Sequence, residues 1–365
     1  MYDQIRQDTL FIILYSMVTA TAVLASCYLL FRRSNAIAPD ITPPAYLRRW
    51  TAAFFAVLVL NHVVYMPIFF LSSSEDIMMT DLIGGLLDCM TLFPVAIIVL
   101  LAMLQDRRRP LWPVVAMMAP IIVIAIFNVS ARSYAIQPMV YVYALLICIG
   151  LIIYMVRALR RYGCWLRDNF ADLEHKEVWQ SFVVLAIIMM VFAIYVFTSE
   201  GPAYQYAMQV IILVLVFYLL WRVETLSDLS ISQPLPSPVE EEAITIQTTY
   251  EYIAPLLQKY CVDTHLYLQH DLTVIQLAKA IGTNRFYLSQ YFSKQGTTYN
   301  AYINDLRVNH FISLYHEAVG SKRSITAQQL AQESGFRSYS TFCRVIKGKT
   351  GKSVSAWMKE GFGER

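Results

Sequence analysis

The sequence predicts an all-α chain. Seven transmembrane helices form a bundle with the N-terminus outside and the C-terminus inside, and a soluble domain of two helix-turn-helix units follows. Three observations predict this fold class. Hydrophobic residues make up 57% of the 365 residues and charged residues only 15%, against roughly 25% charged residues in ordinary soluble domains. Basic residues are concentrated in alternate loops, and the last hundred residues contain an internal repeat. A soluble globular enzyme is therefore not expected.

The charge divides the chain into two parts of opposite sign. Residues 1–248 carry 15 Lys/Arg and 18 Asp/Glu, a net charge of −3, whereas residues 249–365 carry 14 and 8, a net charge of +6. The overall charge of +3 is the sum of these two values. We expect a membrane domain over 1–221, a cytoplasmic linker over 222–248 and a basic soluble domain over 249–365.

Long apolar runs separated by short polar breaks predict the membrane spans. Each run is close to the roughly 20 residues that a 30 Å hydrocarbon layer requires. The predicted spans are residues 9–30, 51–70, 82–104, 111–128, 137–156, 181–198 and 203–221. The first run is too long for a signal peptide and lacks a small-residue cleavage site before a polar mature start.

The loops between these spans predict their orientation. Alternate segments contain 13 Lys/Arg in total, whereas the intervening segments contain only Arg6 and Arg132. The basic segments are residues 31–50, 105–110 and 157–180, together with Arg222. Because basic residues are retained on the cytoplasmic side, the N-terminus is predicted outside and residue 222 inside. We expect the third inner loop, 157–180, to be solvated.

The linker changes character abruptly after the last span. Val223, Leu226 and Leu229 form a short apolar stripe that could continue the last helix by two turns and pair with a second copy of the chain. Three prolines and three glutamates between residues 234 and 242 end any helix and predict a solvated tether. A flexible tether of about 25 residues reaches only about 25–30 Å.

The last hundred residues contain an imperfect repeat. The pattern Leu277-Ala278-x3-Gly282 recurs 53 positions later as Leu330-Ala331-x3-Gly335. The small Ala lets two helices cross closely, and the Gly permits a turn conformation that a Cβ would resist. A long amphipathic helix over 298–317 is predicted between the two units. The residues expected in the core are Leu277, Ala278, Leu288, Phe292, Leu330, Phe342 and Ile346.

Two such units, joined by a helix and followed by Thr350-Gly351, resemble the DNA-binding domain of AraC/XylS-type regulators. Residues 272–294 and 325–357 look like its two halves, and the stretch Gly335-Phe336-x-Ser338-x-Ser340-x-Phe342-x-Arg344 carries most of the resemblance. The resemblance covers about residues 249–360. The chain departs from the family pattern at Ile346, where Phe is usual, and at Val354, where Pro is usual.

The resemblance implies that recognition helices near 284–294 and 338–348 enter successive major grooves of promoter DNA. The implied base-reading candidates are Phe286, Ser289, Gln290, Tyr339, Ser340 and Arg344. The phosphate-contacting candidates are Arg285, Lys294, Arg337, Lys347, Lys349 and Lys352. Gln suits adenine, Arg suits guanine, and an aromatic side chain can pack on a thymine methyl group. The alternative is that Phe286 and Tyr339 are packing residues and the lysines a solvated face.

Polar residues within spans are the candidates for signal sensing, because each is costly inside a bilayer. Asn61 and His62 lie midway along the second predicted span, and Asp88 lies about a third of the way into the third. Neighbouring antiparallel spans could bring His62 and Asp88 together as a pair that responds to pH. The alternative is that these groups only hydrogen-bond neighbouring helices.

The sequence contains no catalytic motif. It lacks GxxxxGK[ST], HExxH and GxSxG patterns, and none of the six cysteines has CxxC spacing. Glu174 and His175 resemble no phosphoacceptor site and are expected in a solvated loop. We therefore expect no catalytic residue, no metal and no cofactor.

These patterns predict a one-component transcription regulator held in the bacterial cytoplasmic membrane, with its DNA-binding domain in the cytoplasm. The expected partners are double-stranded promoter DNA and the lipid bilayer. RNA polymerase, a second copy of the chain and a membrane partner protein are further candidates. Two alternatives remain open. The spans could be a passive or partner-bound anchor while another protein senses the signal, or they could be a transporter or membrane enzyme with a regulatory tail.

Overall fold

The structure is a computed structural model that describes residues 8–32, 35–134, 136–198, 202–229, 246–321 and 326–363. Within these residues every regular element is a helix, and the extended backbone pairs only in an isolated bridge between Phe170 and Thr273. The all-helical prediction is confirmed. The chain forms two compact units, Met1–Tyr162 with Val178–Ile231, and Gly163–Glu177 with Ser232–Arg365.

Eight helices belong wholly or mainly to the first unit. They are α1 Thr9–Phe31, α2 Ala45–Tyr65, α3 Ser74–Leu87, α4 Phe93–Ala102, α5 Trp112–Ala131, α6 Gln137–Asn169, α7 Trp179–Thr198 and α8 Pro202–Thr225. A single π turn, Asp88–Leu92, joins α3 to α4. Pro94 follows this turn in the first turn of α4, where a residue without a backbone N–H is tolerated.

In the part of the chain that the structure describes, six helical segments are long and apolar enough to cross a membrane. They are Thr9–Phe31, Ala45–Phe69, Ser74–Ala102, Trp112–Ala131, Pro138–Asn169 and Ala203–Thr225. The predicted span 181–198 coincides with α7, whose described apolar part, Trp179–Val191, is shorter. Six apolar helices are compatible with membrane insertion, and the count of seven spans stays a prediction.

Close packing in the first unit depends on small side chains. α1 packs against α2 and α8. Ala22, Ala25 and Ser26 are buried on α1, and the Ser26 hydroxyl donates a hydrogen bond of 2.9 Å to the carbonyl of Ala52 on α2. Small residues let helix backbones approach each other, and an interhelical hydrogen bond then satisfies the buried hydroxyl.

The apolar stripe after the last predicted span is covered by the chain itself. α8 ends at Thr225, and Val223, Leu226 and Leu229 are at most 1% exposed. The backbone beyond the helix is held as well, because Leu229 N–H donates to the side chain of Gln105 at 2.9 Å. The interpretation of this stripe as a surface for a second copy was therefore wrong. The prolines and glutamates of 234–242 lie outside the described residues.

Seven helices form the second unit together with residues 163–177. They are α9 Ile246–Leu257, α10 Val274–Ala280, α11 Arg285–Lys294, α12 Tyr299–Gly320, α13 Ala327–Glu333, α14 Tyr339–Thr350 and α15 Val354–Gly363. The pairs α10–α11 and α13–α14 are the two predicted helix-turn-helix hairpins, and α12 joins them. Every predicted core residue is at most 2% exposed, which confirms the predicted core.

The two hairpins are built by the same local interactions. α10 begins with a capping box between Thr273 and Gln276, and α13 begins with one between Thr326 and Gln329. Each box satisfies two backbone donors at the helix start. The turns then pass through Gly282 at φ 74° and Gly335 at φ 91°, a left-handed region in which a Cβ is strained.

The departures from the family pattern leave the second hairpin intact. Ile346 is fully buried on α14 and Val354 is 4% exposed at the start of α15, and both belong to the core cluster around the second hairpin. Gly351 ends α14 at φ 73°, as expected of a left-handed C-cap.

Residues 163–177, which we call the strap, form part of the second unit. Ala171 is 1% exposed within the core cluster of the first hairpin, and its N–H donates to the carbonyl of Leu272 at 3.3 Å. The Asn300 side-chain amide donates to the carbonyls of Phe170 at 3.1 Å and Ala171 at 2.6 Å. The expectation of a solvated third inner loop was therefore wrong for the strap.

Candidate nucleic-acid interface

The two predicted recognition helices correspond to α11 and α14, and both begin with a side-chain cap. Asn284 accepts a hydrogen bond from the backbone N–H of Tyr287, and Ser338 accepts one from Thr341. α11 ends at the predicted residue 294, whereas α14 extends two residues beyond the predicted 348. Each helix buries one face and presents the opposite face outwards.

On α11 the outward face contains the three base-reading candidates. Phe286, Ser289 and Gln290 follow i, i+3, i+4 spacing, which places them on one side of the helix. Phe286 is 63% exposed, and Ser289 and Gln290 are half-buried. A phenylalanine this exposed is not a core residue, so its placement matches the DNA-facing interpretation.

On α14 the three candidates differ in exposure. Ser340 is exposed, and the Arg344 side chain is 65% exposed. Tyr339 is half-buried, and its ring lies 5.8 Å from the ring of Phe342 in the core. The placement of Tyr339 matches the packing interpretation, and that of Ser340 and Arg344 matches outward contact.

All six phosphate candidates lie on the exposed surface of the second unit. Several already have carboxylate neighbours: Lys349 Nζ lies 2.8 Å from Asp305, and Arg337 Nη1 lies 3.3 Å from Asp271. Burial lowers the pKa of Arg285, while neighbouring Asp168 acts to raise it. Exposed ion pairs contribute only about 0–1 kcal/mol, so a DNA phosphate can replace the carboxylate at low cost.

A buried arginine supports the arrangement of the two hairpins. Arg307 on α12 is 1% exposed. Its Nε donates to the carbonyl of Tyr267 at 2.8 Å, and its Nη2 donates to that of Gln269 at 2.7 Å. Its guanidinium also lies 5.9 Å from the ring centre of Phe336 in the second hairpin. Arg307 therefore joins the segment before α10 to the core of the second hairpin.

Sequence reasoning missed Arg307, although its position carries a signal. Position 307 lies four residues after Ile303 and four before Phe311, which are both fully buried. Residues at this spacing share one face of a helix. An arginine on the apolar face of a long helix indicates a guanidinium held by buried carbonyl groups.

The polar residues of the predicted spans form two networks. Asn61 Nδ2 donates to Asp88 Oδ1 at 2.6 Å, and the Tyr65 hydroxyl donates to Asp88 Oδ2 at 2.8 Å. His62 Nε2 lies 3.1 Å from Gln209 Oε1 on α8. Among the described residues, the hydrogen-bond partners of Asp88 are thus Asn61 and Tyr65, and the expected His62–Asp88 pair is replaced by these separate contacts.

His62 also lines a cavity in the first unit. The cavity has a volume of about 320 Å³ and lies between α1 and the C-terminal end of α2. Its walls are mainly aromatic and aliphatic, with Phe11, Tyr15 and Phe69 among them.

The described residues contain no group of three or more His, Cys, Asp or Glu side chains that could hold a metal ion. All six cysteines lie in this part of the chain and are free.

Comparison with known families supports the C-terminal domain. Residues 277–360 match a family model described as a helix-turn-helix domain. The match begins within α10 and ends within α15, so it includes both recognition helices and the bridging helix α12. No curated protein and no solved structure matches the chain. The match supports a DNA-binding domain of the kind found in sequence-specific transcription regulators, and it does not extend to the apolar helices.

Proposed function

We propose that the protein is a membrane-anchored, one-component transcription regulator that binds promoter DNA in a sequence-specific way. The observation that carries this proposal is the presence of two helix-turn-helix hairpins in one domain, each with an outward face that contains candidates for base reading. The domain division is 1–221 for the membrane part, 222–248 for the linker and 249–365 for DNA binding. The protein resides in the bacterial cytoplasmic membrane.

The chemistry of the outward faces specifies how each hairpin would read DNA. Gln290 and Arg344 each lie two residues after the first buried residue of their helix, Leu288 and Phe342. Gln pairs in bidentate fashion with adenine and Arg with guanine, and exposed Phe286 can pack on a thymine methyl group. The surrounding cations contact phosphates, so affinity falls steeply with salt.

Substitution of Arg344 tests the DNA-reading role. In Arg344→Ala the bidentate contact is lost, which costs about 1–3 kcal/mol of discrimination and lowers affinity for the cognate site roughly 5- to 150-fold. Arg344→Lys keeps the charge and should retain phosphate attraction without guanine selectivity. The measurement is footprinting of the full-length protein on promoters identified by genome-wide mapping of bound DNA.

The matched control for this experiment is Lys359→Ala, which removes one exposed positive charge from α15. The control should keep the footprint, and both variants should remain in the membrane fraction. An unaltered footprint for Arg344→Ala would contradict the assigned role.

The membrane topology has its own test. The ratio of 13 inner to 2 outer basic residues and the six apolar helices support an N-out, C-in orientation. Reporter fusions at residues 35 and 365 should both report the cytoplasm. A periplasmic C-terminus would exclude DNA binding in the cell.

We further infer that the spans themselves respond to the signal. The two polar networks join α2 to the π turn and to α8 through buried or half-buried groups, and polar groups at such depth mark functional sites. Asp88→Asn and His62→Gln should change the promoter response at normal protein level, whereas Thr21→Val, at a half-buried position of α1 outside both networks, should not. An unchanged response in both variants would favour a passive or partner-bound anchor.

A further inference from the structure

The strap is anchored on the second unit by its backbone and by a buried lysine. Hydrogen bonds hold the backbone at Phe170 and Ala171. In addition, the Lys176 side chain is only 7% exposed, and its Nζ lies 3.6 Å from Asp271. The same ammonium lies 5.5 Å from the ring centre of Phe170. Asp271 also pairs with Arg337, a phosphate candidate. The strap is therefore a fixed part of the surface that carries the recognition helices.

The strap is acidic where it meets these helices. It contains Arg167 and Lys176 against two aspartates and two glutamates, a net charge of −2. Glu177 Oε2 lies 3.8 Å from Arg344 Nη1 on α14. Asp168 interacts electrostatically with Arg285, the first residue of α11. One segment therefore places a carboxylate within ion-pair distance of Arg344 on α14 and a second negative charge that acts on Arg285 of α11.

We propose that the strap is an intramolecular competitor of DNA. The Glu177 carboxylate of the strap occupies Arg344, the cation that would contact a guanine; its Asp168 attracts Arg285, which would contact a phosphate. DNA binding displaces both carboxylates. This inference rests on the proposed function of the two hairpins. Detachment of the strap raises DNA affinity, and a tightly held strap lowers it.

The position of the strap in the chain explains why such competition would matter. Its first seven residues are the C-terminal end of α6, and it leads into α7; both helices coincide with predicted spans. A change in the packing of these spans pulls on the strap without passing through the residues between 230 and 245. The strap is therefore a second, shorter route by which the membrane part acts on the recognition helices.

The first experiment changes the charge of the strap. The full-length protein is placed in nanodiscs of 3:1 phosphatidylethanolamine and phosphatidylglycerol, and binding is measured to a duplex that it selects from a random-sequence library. Since an exposed ion pair contributes about 0.2–1 kcal/mol, the double variant Glu177→Gln, Asp168→Asn should bind roughly 2- to 30-fold more tightly. The strap keeps its backbone contacts, so the fold is retained.

The matched control is Glu317→Gln, Glu333→Gln, which removes two exposed carboxylates from α12 and α13 of the same unit. This control accounts for the general attraction between DNA and a more positive domain. A larger gain in affinity for the strap variant than for the control supports competition. An equal gain in both variants would overturn it.

The second experiment follows the strap itself by hydrogen exchange. The N–H of Ala171 is buried and hydrogen-bonded, so peptides covering residues 166–177 should exchange slowly in the free protein. Saturating duplex should increase their exchange. Asn300→Ala removes the two amide bonds to the strap backbone, and it should increase both the exchange and the DNA affinity while leaving the strap carboxylates unchanged. Slow exchange that saturating duplex leaves unaltered would refute displacement.

The outcomes separate this inference from the proposed function. If the selection enriches no sequence, or if Arg344→Ala binds the selected duplex as tightly as the wild type, the proposed function fails and competition fails with it. If binding depends on Arg344 while the strap variant matches its control, only the competition is wrong.

Discussion

The two helix-turn-helix units share a sequence pattern and differ in what packs around them. The first hairpin buries Ala171 of the strap, a segment distant in sequence. The core of the second hairpin is completed by α15, which follows the hairpin directly in sequence. The ring centre of Trp357 on α15 lies 5.5 Å from that of Tyr315 and 6.1 Å from that of Phe311, both on α12. The repeat therefore specifies the hairpin, whereas the segments outside the repeat specify what completes its core.

The units also differ at the position that would read a base. Gln290 in the first hairpin corresponds to Arg344 in the second, because both lie two residues after the first buried residue of the recognition helix. The proposed contacts therefore predict an asymmetric DNA site, with adenine facing Gln290 in one major groove and guanine facing Arg344 in the next. A single chain can then recognise a site that has no internal symmetry.

The largest expected effect comes from Arg307, which contacts both halves of the domain. Arg307→Ala removes the hydrogen-bond donor from the carbonyls of Tyr267 and Gln269, and we expect a loss of about 2–6 kcal/mol of stability, about 1–3 kcal/mol for each carbonyl left without its donor. The measurement is native-state proteolysis of the second unit in the full-length protein. Lys279→Ala on the exposed side of α10 is the control and should leave the cleavage rate unchanged. Equal rates for the two variants would show that the hairpins do not depend on this link.

The next largest effect distinguishes the two turns. A Cβ at Gly335 would lie 2.8 Å from the Leu268 Cα and 2.9 Å from its carbonyl oxygen, whereas a Cβ at Gly282 would meet no atom within 4 Å. Both substitutions by Ala incur roughly 1–2 kcal/mol for the left-handed backbone. Gly335→Ala should cost about 1–3 kcal/mol more because of the clash. Thermal unfolding of the two variants measures the difference, and similar melting temperatures would contradict the close approach at Gly335.

The capping boxes of the two hairpins should instead contribute equally to the free energy of unfolding, because they are built in the same way. Thr273→Ala and Thr326→Ala each remove one capping box, and each should cost about 1 kcal/mol. Conservative Thr→Ser replacements at both sites should restore most of the loss, because the hydroxyl acceptor is kept. The backbone bridge between residue 273 and Phe170 of the strap is unaffected by Thr273→Ala, so a markedly larger cost at Thr273 than at Thr326 would contradict the equivalence of the two caps.

The smallest effect concerns the two cysteines of the second unit. Burial raises the pKa of the Cys261 thiol to about 11, so on the order of one molecule in a thousand carries the thiolate at pH 8. Only the thiolate reacts with maleimide. Peptide mapping after labelling at pH 8 should therefore find half-buried Cys343 modified well before Cys261. The reverse order would indicate that the core of the first hairpin opens more readily.

Local patterns predicted most of the second unit. The repeat at 53 residues and the i, i+4 spacing of Leu288 and Phe292 indicated the hairpins, their recognition helices and the buried residues. Such patterns reflect contacts within one helix or between neighbours in sequence, and these are the contacts that periodicity records.

Contacts between segments that are distant in sequence produced no comparable sequence pattern. The strap is bound through the backbone carbonyls of Phe170 and Ala171. Because every residue has a backbone carbonyl, this contact produces no recognisable sequence pattern. The stripe at Val223, Leu226 and Leu229 was recognisable as apolar, but its periodicity could not distinguish a cover within the chain from a second copy. The role of Arg307 was missed because its acceptors lie about 40 positions away in sequence, although its spacing from Ile303 and Phe311 places it on the apolar face of α12.

The strap also has a consequence for the order in which the protein is made. The ribosome completes Ala171 before it begins any helix of the hairpins, and the 128 residues from there to Tyr299 require on the order of ten seconds of synthesis. During that interval α6, whose last seven residues are also the first seven of the strap, has already been synthesised. The first hairpin therefore folds onto a residue of its own core, Ala171, that was made well before the hairpin itself.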